Sequence, residues 1–450
     1  MHSLDIIVVS DAVSHLVKRK ASGPDGICGE HIMYSHPIVA SILLRLFKWI
    51  LCTGHVPDCF TSSYMVPLPK NKEKTSCVLV CEDFRGISVS SVLSKLFESC
   101  ILALCGDLFH TSDHQFGFKR GLGCSHAVHV AQEYIDAYNR GGDTAHIAAL
   151  DVVKAFPRVN HDAVFIKLYE RNFPRPIIEL ISNWYVRSSF SVKWQACVSD
   201  SFTLRTGVNQ GSVLAPFIFA LLLDDIIRDC TGWRRYGHGI ILVYADDILL
   251  ITRTRRNLQD LFWCVQAGLT AISLQLNVSK CCFMRIGSQY DVECAPIVTS
   301  DGKVIPSVEE LRYLGIHLVS HRIFRPSMDR AKRSFSKATN AILSVLQGRA
   351  SEEVIFHLVK TKALPILLYA TEAIDLSTVT IRSLDFCVVR FVMKIIRSGN
   401  RDIAADCMEF FCFTLPSTLI ASRKARFTLS FRSNSTNNSV CAIAALLRQC

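Results

Sequence analysis

The stretch Gly239-Ile240-Ile241-Leu242-Val243-Tyr244-Ala245-Asp246-Asp247-Ile248-Leu249-Leu250-Ile251 decides how the rest of the chain is read. Two apolar runs flank Ala245-Asp246-Asp247, which predicts a hairpin of buried strands with carboxylates at its turn. An Asp-Asp turn has an ordinary explanation, because aspartate tolerates turn geometry and bonds its own backbone. Upstream, Ala145 to Val153 reads as a further short apolar strand with Asp151 near its end. A single aspartate there is ordinarily a helix cap. Together the three pose a physical question, since carboxylates on apolar strand ends are costly unless paired, hydrogen-bonded or metal-bound. Hard cations such as Mg2+ take such oxygens while keeping water and phosphate oxygens as other ligands. Two such ions would activate an attacking hydroxyl and stabilise a departing pyrophosphate.

Working outward, residues 1–60 read as helical around the loop Ala21–Gly26, and a basic irregular segment follows (Pro67, Pro69, Lys70, Lys72, Lys74). A short strand is expected around Val78–Val80 and a helix from Ser91 to Leu108. Further helices are expected at His161–Glu170, Val213–Ile227 and Phe262–Leu274, and strands at Ser189–Val198, Cys281–Ile286 and Leu311–Leu318. Beyond 325 the pattern is helical with breaks at Gly348, Pro365 and Pro416, and the polar tail Ser433–Ser439 reads as loose.

At 450 residues the chain calls for two or three subdomains. Half of it is hydrophobic and a fifth charged, which places it among globular proteins. A net charge of +11 suits a polyanionic partner without requiring one. The 19 cysteines are odd in number and scattered, and neither Cys77 with Cys81 nor Cys407 with Cys412 has the second pair that a zinc site needs. They are expected to be reduced and mostly buried. No apolar run reaches the ~18–20 residues that span a bilayer, so no membrane partner is expected. Asp5, Asp11 and Lys18-Arg19-Lys20 interrupt any secretory signal, which points to an intracellular protein of nucleus and cytoplasm.

The ordered motifs resemble the reverse transcriptases of non-long-terminal-repeat (LINE-like) retrotransposons. The resemblance rests on Lys20-Ala21-Ser22-Gly23-Pro24-Asp25-Gly26, Phe84-Arg85-Gly86-Ile87-Ser88, Ser94-Lys95-Leu96-Phe97-Glu98 and His114-Gln115-Phe116-Gly117-Phe118. It continues through Leu150-Asp151 to Lys154-Ala155-Phe156, Gly207-Val208-Asn209-Gln210-Gly211, Tyr244-Ala245-Asp246-Asp247, Leu276-Asn277 with Lys280, and Tyr313-Leu314-Gly315. Two positions depart from the family pattern: Pro157 stands where an aspartate is usual, and Gly86 where a proline is usual. The Lys20–Gly26 block fits this family better than the related group II intron maturases.

The resemblance implies an α+β right-hand polymerase: fingers and N-terminal extension over 1–140, an antiparallel palm sheet backed by helices over 141–318, and a helical thumb over 319–450. It implies RNA-directed DNA polymerase activity with two Mg2+ ions, Mn2+ substituting, on an RNA template, a DNA primer and deoxynucleoside triphosphates. Asp151, Asp246 and Asp247 would be the catalytic, metal-holding carboxylates, with the Val152 carbonyl as a further ligand. Lys70 and Arg85 would grip the triphosphate, Phe156 would exclude a 2′-hydroxyl, and Tyr244 would pack near the primer end. Gln210 and Gly211 would line the template and nucleotide, and Lys280 would serve the pyrophosphate. Leu314 and Gly315 would form the primer grip, and Arg322, Arg325, Arg330, Lys332 and Arg333 would meet phosphates. The alternative is a catalytically inactive, RNA-binding remnant or domesticated scaffold. With no nuclease or zinc-knuckle pattern, the chain reads as part of a larger polyprotein.

Overall fold

A computed structural model describes residues 4–70, 80–232, 239–346 and 349–448. Lys72, Lys74, Cys77, most of the strand expected around Val78–Val80, and the break at Gly348 lie outside the described residues. The strands in chain order are β1 (Ser62–Pro69), β2 (Phe84–Ser90), β3 (Ala145–Asp151), β4 (Ser189–Trp194), β5 (Cys197–Val198), β6 (Phe202–Thr203) and β7 (Ile240–Tyr244). They continue with β8 (Asp247–Thr252), β9 (Cys282–Ile286), β10 (Ile297–Val298), β11 (Val304–Ile305), β12 (Glu310–Tyr313), β13 (Ile316–Val319) and β14 (Pro326–Ser327). Helices fill most of the remainder, so the class is α+β. The chain forms two compact units. The first comprises Met1–Ser112, Val152–Asp229 and Cys264–Leu276, and the second Asp113–Asp151, Cys230–Trp263 and Asn277–Cys450.

In the first unit, β1 pairs antiparallel with β2 and, over Ser62–Met65, parallel with β4. The segment read as irregular from its prolines is thus a strand. Pro67 and Pro69 fall where β1 has β2 alone beside it, the kind of edge position at which a missing N–H is tolerated. The single strand expected over Ser189–Val198 is a tight hairpin, with β4 turning through Gln195 (φ 54°) into β5. The same unit holds an aromatic core. Phe97 stacks on Trp184 at 5.9 Å and meets Phe47 at 5.1 Å, while the Trp184 indole N–H donates to the Phe60 carbonyl at 3.2 Å. Burying a Trp is favourable when its N–H finds such an acceptor.

The second unit is built on an antiparallel sheet of order β7-β8-β3-β9. Its strands read as nearly unbroken apolar runs because both faces are covered, and the helix Cys124–Arg140 packs on β3, β7 and β8. Periodicity did not single out that helix. Ten of its 17 residues are buried, among them His126, His129, Gln132 and Glu133, so polar side chains blur the apolar stripe. The strand expected over Leu311–Leu318 is two strands, β12 and β13, turning at Leu314-Gly315. The two residues have φ of 44° and 84°, the double positive φ of one of the two turn types that close a two-residue hairpin. Pro365 causes no break: it sits in the first turn of the helix Leu364–Leu367, directly after the Val359–Ala363 π-helical turn. Pro416 does open a helix, Pro416–Ser435.

The tail read as loose is ordered. Ser433–Ser435 end that helix, and Asn438 is buried, caps the helix Ser439–Leu447 and donates to the Asp113 carbonyl at 3.0 Å. The cysteines are not mostly buried: among the described residues five are buried and the others partly or fully exposed. No helix of the described residues is long and apolar enough to cross a membrane.

Glu133 is buried in this unit, 3.7 Å from both the His129 Nε2 and an Arg448 guanidinium nitrogen. Burial outweighs the Arg448 charge and pushes its carboxyl up to about 7. A raised carboxyl means the folded chain binds the extra proton, so this group's contribution favours folding at low pH and is lost as pH rises toward 7. Glu133→Gln is expected to raise the melting temperature relative to the parent at pH 8, with the difference falling away as pH drops below the ordinary carboxyl value of 4.5; an equal difference at high and low pH contradicts this. Trp184→Ala is expected to cost about 3–5 kcal/mol in denaturant unfolding, read in the midpoint shift at constant slope.

Candidate active site

The sheet register carries the central geometry. In the β3–β8 pairing Asp151, the last residue of β3, stands directly opposite Asp247, the first residue of β8. On the other side Tyr244 of β7 pairs with Asp247, which leaves Ala245-Asp246 as a two-residue turn with Ala245 at φ 57°. Asp151 and Asp247, 96 positions apart in sequence, are thus brought to one end of one sheet. The Asp247 carboxyl is raised, first by partial burial and then by the negative charges of Asp246 and Asp151, with Arg312 opposing. Burial and neighbouring like charge both disfavour the charged form.

Lys280 joins this group, its Nζ 3.4 Å from an Asp151 carboxylate oxygen. It follows the Leu276-Asn277 block, where the Asn277 N–H donates to the Asp151 carbonyl at 2.8 Å. This backbone bond brings the β3 end and the lysine loop together. Among the described residues no three His, Cys, Asp or Glu side chains are gathered as a ready metal cage. The donor set nevertheless suits a hard divalent ion: oxygen ligands only, with electrostatic pressure that a cation relieves. The Leu314-Gly315 turn belongs to the same unit. Tyr369 Oη donates to the Leu314 carbonyl at 3.1 Å, and a β-carbon on Gly315 would come within 2.9 Å of the Tyr369 ring. Tyr369 carries no motif signal and was not anticipated.

Lys70, Arg85, Val152, Phe156, Gln210 and Gly211 lie in the first unit. Val152 forms an isolated bridge with Leu276. Phe156 opens a 3-10 turn, Phe156–Arg158, and its ring stacks on Phe219 at 4.7 Å, so its position is set by packing. Pro157 fits the turn without disturbing it. Its backbone lies against Gly207, where a β-carbon would come within 2.8 Å of the Pro157 carbonyl oxygen. The Gly207 N–H donates to the Val159 carbonyl at 2.7 Å and the Val208 N–H to the Phe156 carbonyl at 3.0 Å, stitching the Phe156 turn to the Gln210-Gly211 loop.

That loop is held in turn by β2. The Ser88 N–H donates to the Gln210 carbonyl at 2.8 Å, and a β-carbon on Gly211 (φ 138°) would fall 2.2 Å from the Ser88 oxygen. Glycine is required here by the neighbouring backbone. Glu98, buried, accepts from Ser212 Oγ at 3.0 Å and from the Val213 N–H. Burial is the largest influence on its carboxyl and raises it, with these bonds opposing. A glutamate in the apolar run Leu96-Phe97-Glu98 was the available signal for this clamp.

Lys70 and Arg85 are exposed on β1's end and β2, with the Lys70 ammonium donating to the Glu82 carbonyl at 2.6 Å. Of the basic cluster after β13, Arg330 lies 3.7 Å from Glu310, and Lys332 is bonded to Asp329 and Ser383 at 3.1 and 3.0 Å. Arg322 and Arg325 are exposed.

Residues 68–318, more than half of the chain, match the family described as reverse transcriptase (RNA-dependent DNA polymerase). A curated relative, the retrovirus-related Pol polyprotein from the type-2 retrotransposable element R2DM of Drosophila melanogaster, is 28% identical over 318 residues. The match covers 68% of this chain and 29% of that protein. The RNA-directed DNA polymerase from the mobile element jockey of Drosophila funebris is 26% identical over 344 residues, covering 73% of this chain and 36% of that one. The chain thus spans about a third of the length of these relatives. Among solved structures, a Candida tropicalis telomerase in complex with a fragment of telomeric RNA overlays with a TM-score of 0.44 at 15% identity, covering 91% of this chain and 68% of that one. The chain belongs to the reverse transcriptase (RNA-dependent DNA polymerase) family, as its non-long-terminal-repeat retrotransposon motifs lead one to expect.

Proposed function

We propose that this chain is the RNA-directed DNA polymerase part of a non-long-terminal-repeat retrotransposon polyprotein, extending a DNA primer on an RNA template. The observation that carries the proposal is the pairing of Asp151 with Asp247 across β3–β8, with Asp246 in the adjoining turn. In this reading the β7-β8-β3-β9 sheet is the palm, the segments before it the fingers, and the helices after residue 319 the thumb.

Asp151, Asp246 and Asp247 would hold two Mg2+ ions, or Mn2+ in their place, together with the Val152 carbonyl. Bound divalent cations supply Lewis-acid activation of the primer hydroxyl and neutralise charge on the triphosphate. The chain's own groups do the rest. Lys280, whose ammonium lies 3.4 Å from Asp151, offers a proton or a positive charge to the pyrophosphate as it leaves. The exposed cations Lys70 and Arg85 bind the triphosphate oxygens of the deoxynucleotide. Phe156, braced by Phe219, forms a wall beneath the sugar. Gln210 and Gly211, held by Ser88 and Glu98, present backbone to the template base and nucleotide. Leu314-Gly315, braced by Tyr369, supports the primer strand.

Primer extension on an RNA template tests the proposal. The parent chain is expected to incorporate deoxynucleotides only when a divalent metal is added, and Asp246→Asn to abolish product while leaving salt-dependent RNA binding intact. Full extension by that variant contradicts the carboxylate assignment. RNA binding by the parent without any synthesis instead favours the inactive remnant. Phe156→Val is expected to narrow the preference for deoxynucleotides over ribonucleotides about tenfold or more, measured as the ratio of the two kcat/KM values. An unchanged ratio removes Phe156 from sugar selection.

A further inference from the structure

The segment His114–Gly117 runs beside β7 as a short parallel companion. Val243 bonds it on both sides: its N–H donates to the His114 carbonyl at 2.9 Å, and its carbonyl accepts from the Phe116 N–H at 2.8 Å. Between these bonds sits Gln115, bridged to Val243 and with no exposed surface. Its side-chain oxygen accepts two backbone N–H groups, from Gly117 at 2.9 Å and from Ala245 at 3.2 Å. Its amide nitrogen has no partner among the described residues.

An amide in this position is a poor choice for packing alone. An apolar side chain of similar length would fill the space without stranding a buried N–H2 group. What the amide contributes is the oxygen, and the group it holds is the backbone of the turn before Asp246. Ala245 has φ 57°, a conformation that a residue with a β-carbon adopts only when its surroundings impose it. Gly117 completes the grip: a β-carbon there would lie 2.7 Å from the Ala245 nitrogen. We infer that Gln115 is a positioning residue whose side-chain carbonyl holds the Ala245-Asp246 turn, and thereby keeps Asp246 and Asp247 aligned with Asp151 for metal binding. This assignment rests on the polymerase reading of the carboxylates, and it supplies a role for the His114–Phe118 block.

The test compares the full chain with Gln115→Met, which keeps length but loses the acceptor, and with Gln115→Glu, which retains an acceptor oxygen. Backbone amide exchange over 244–247 and Mn2+ affinity by electron paramagnetic resonance are read beside primer extension. Gln115→Met is expected to speed exchange at Ala245 about tenfold, to weaken Mn2+ binding severalfold, and to lower kcat about tenfold with the deoxynucleotide KM within about twofold. Gln115→Glu is expected to stay near the parent in exchange. Should Gln115→Met not fold, Gly117→Ala, which presses a methyl against the Ala245 nitrogen, is expected to give the same exchange and Mn2+ signature. Unchanged exchange at Ala245 in the variant tested overturns the inference. So does equal impairment by Met and Glu in step with equal loss of melting temperature, which is the signature of packing alone. A parent chain that extends no primer sinks the polymerase reading, while the exchange and Mn2+ measurements still decide the role of Gln115.

Discussion

Three negative charges at one end of an apolar sheet are the constraint around which this unit is organised. The antiparallel register of β3 and β8 sets Asp151 opposite Asp247, and the two-residue turn adds Asp246 beside them. The Asp247 carboxyl is raised by partial burial first and by the charges of Asp246 and Asp151 after it, and a nearby cation opposes that. Lys280 reaches Asp151, and Arg312 bears on Asp247. A sheet that is apolar up to its last residue and polar at its end is well suited to cation-dependent chemistry, because the buried strands fix the carboxylates that solvent can still reach.

The first unit solves a different problem by similar means. Its loops carry glycines and a polar side chain at the few places where backbone must approach backbone. Gly207 lies against the Phe156 turn and Gly211 against β2, and any β-carbon at either position would collide with a carbonyl oxygen. Glu98 is the single carboxylate spent inside the apolar helix Val92–Leu104 among its buried residues, and it is occupied by Ser212 and Val213. The Gln210-Gly211 loop is therefore a rigid object, which its glycine content alone does not suggest. Pro157 is compatible with this arrangement, since it lies in a 3-10 turn and contributes backbone contacts to Gly207.

Much of this was legible beforehand where apolar runs are long and motifs are ordered. The β7–β8 hairpin, the β3 strand and the helix His161–Glu170 follow from periodicity, and the expected α+β class holds. The differences share a cause: a local signal in the sequence does not report its neighbour in the fold. Prolines in β1 suggested an irregular segment because an edge position is not visible in sequence. Leu311–Leu318 looked like one strand because leucine at positive φ in the Leu314-Gly315 turn is not a usual turn signal. The polar residues Ser433–Ser439 looked loose because the Asp113 carbonyl that Asn438 bonds is 325 residues away.

By itself the sequence determined the chemistry available: which carboxylates, cations and glycines exist, in what order, and on which apolar runs they sit. Only the tertiary structure decided which of them meet. Asp151 faces Asp247, Glu98 holds Val213 and Gln115 holds Ala245 through contacts between residues roughly a hundred or more positions apart. Hydrophobic periodicity is a local property and reports burial, whereas strand register and the partner of a buried polar atom are set by packing across the core. That is why the candidate catalytic residues could be named from their motifs, while the groups that hold them in place appeared only once the chain was folded.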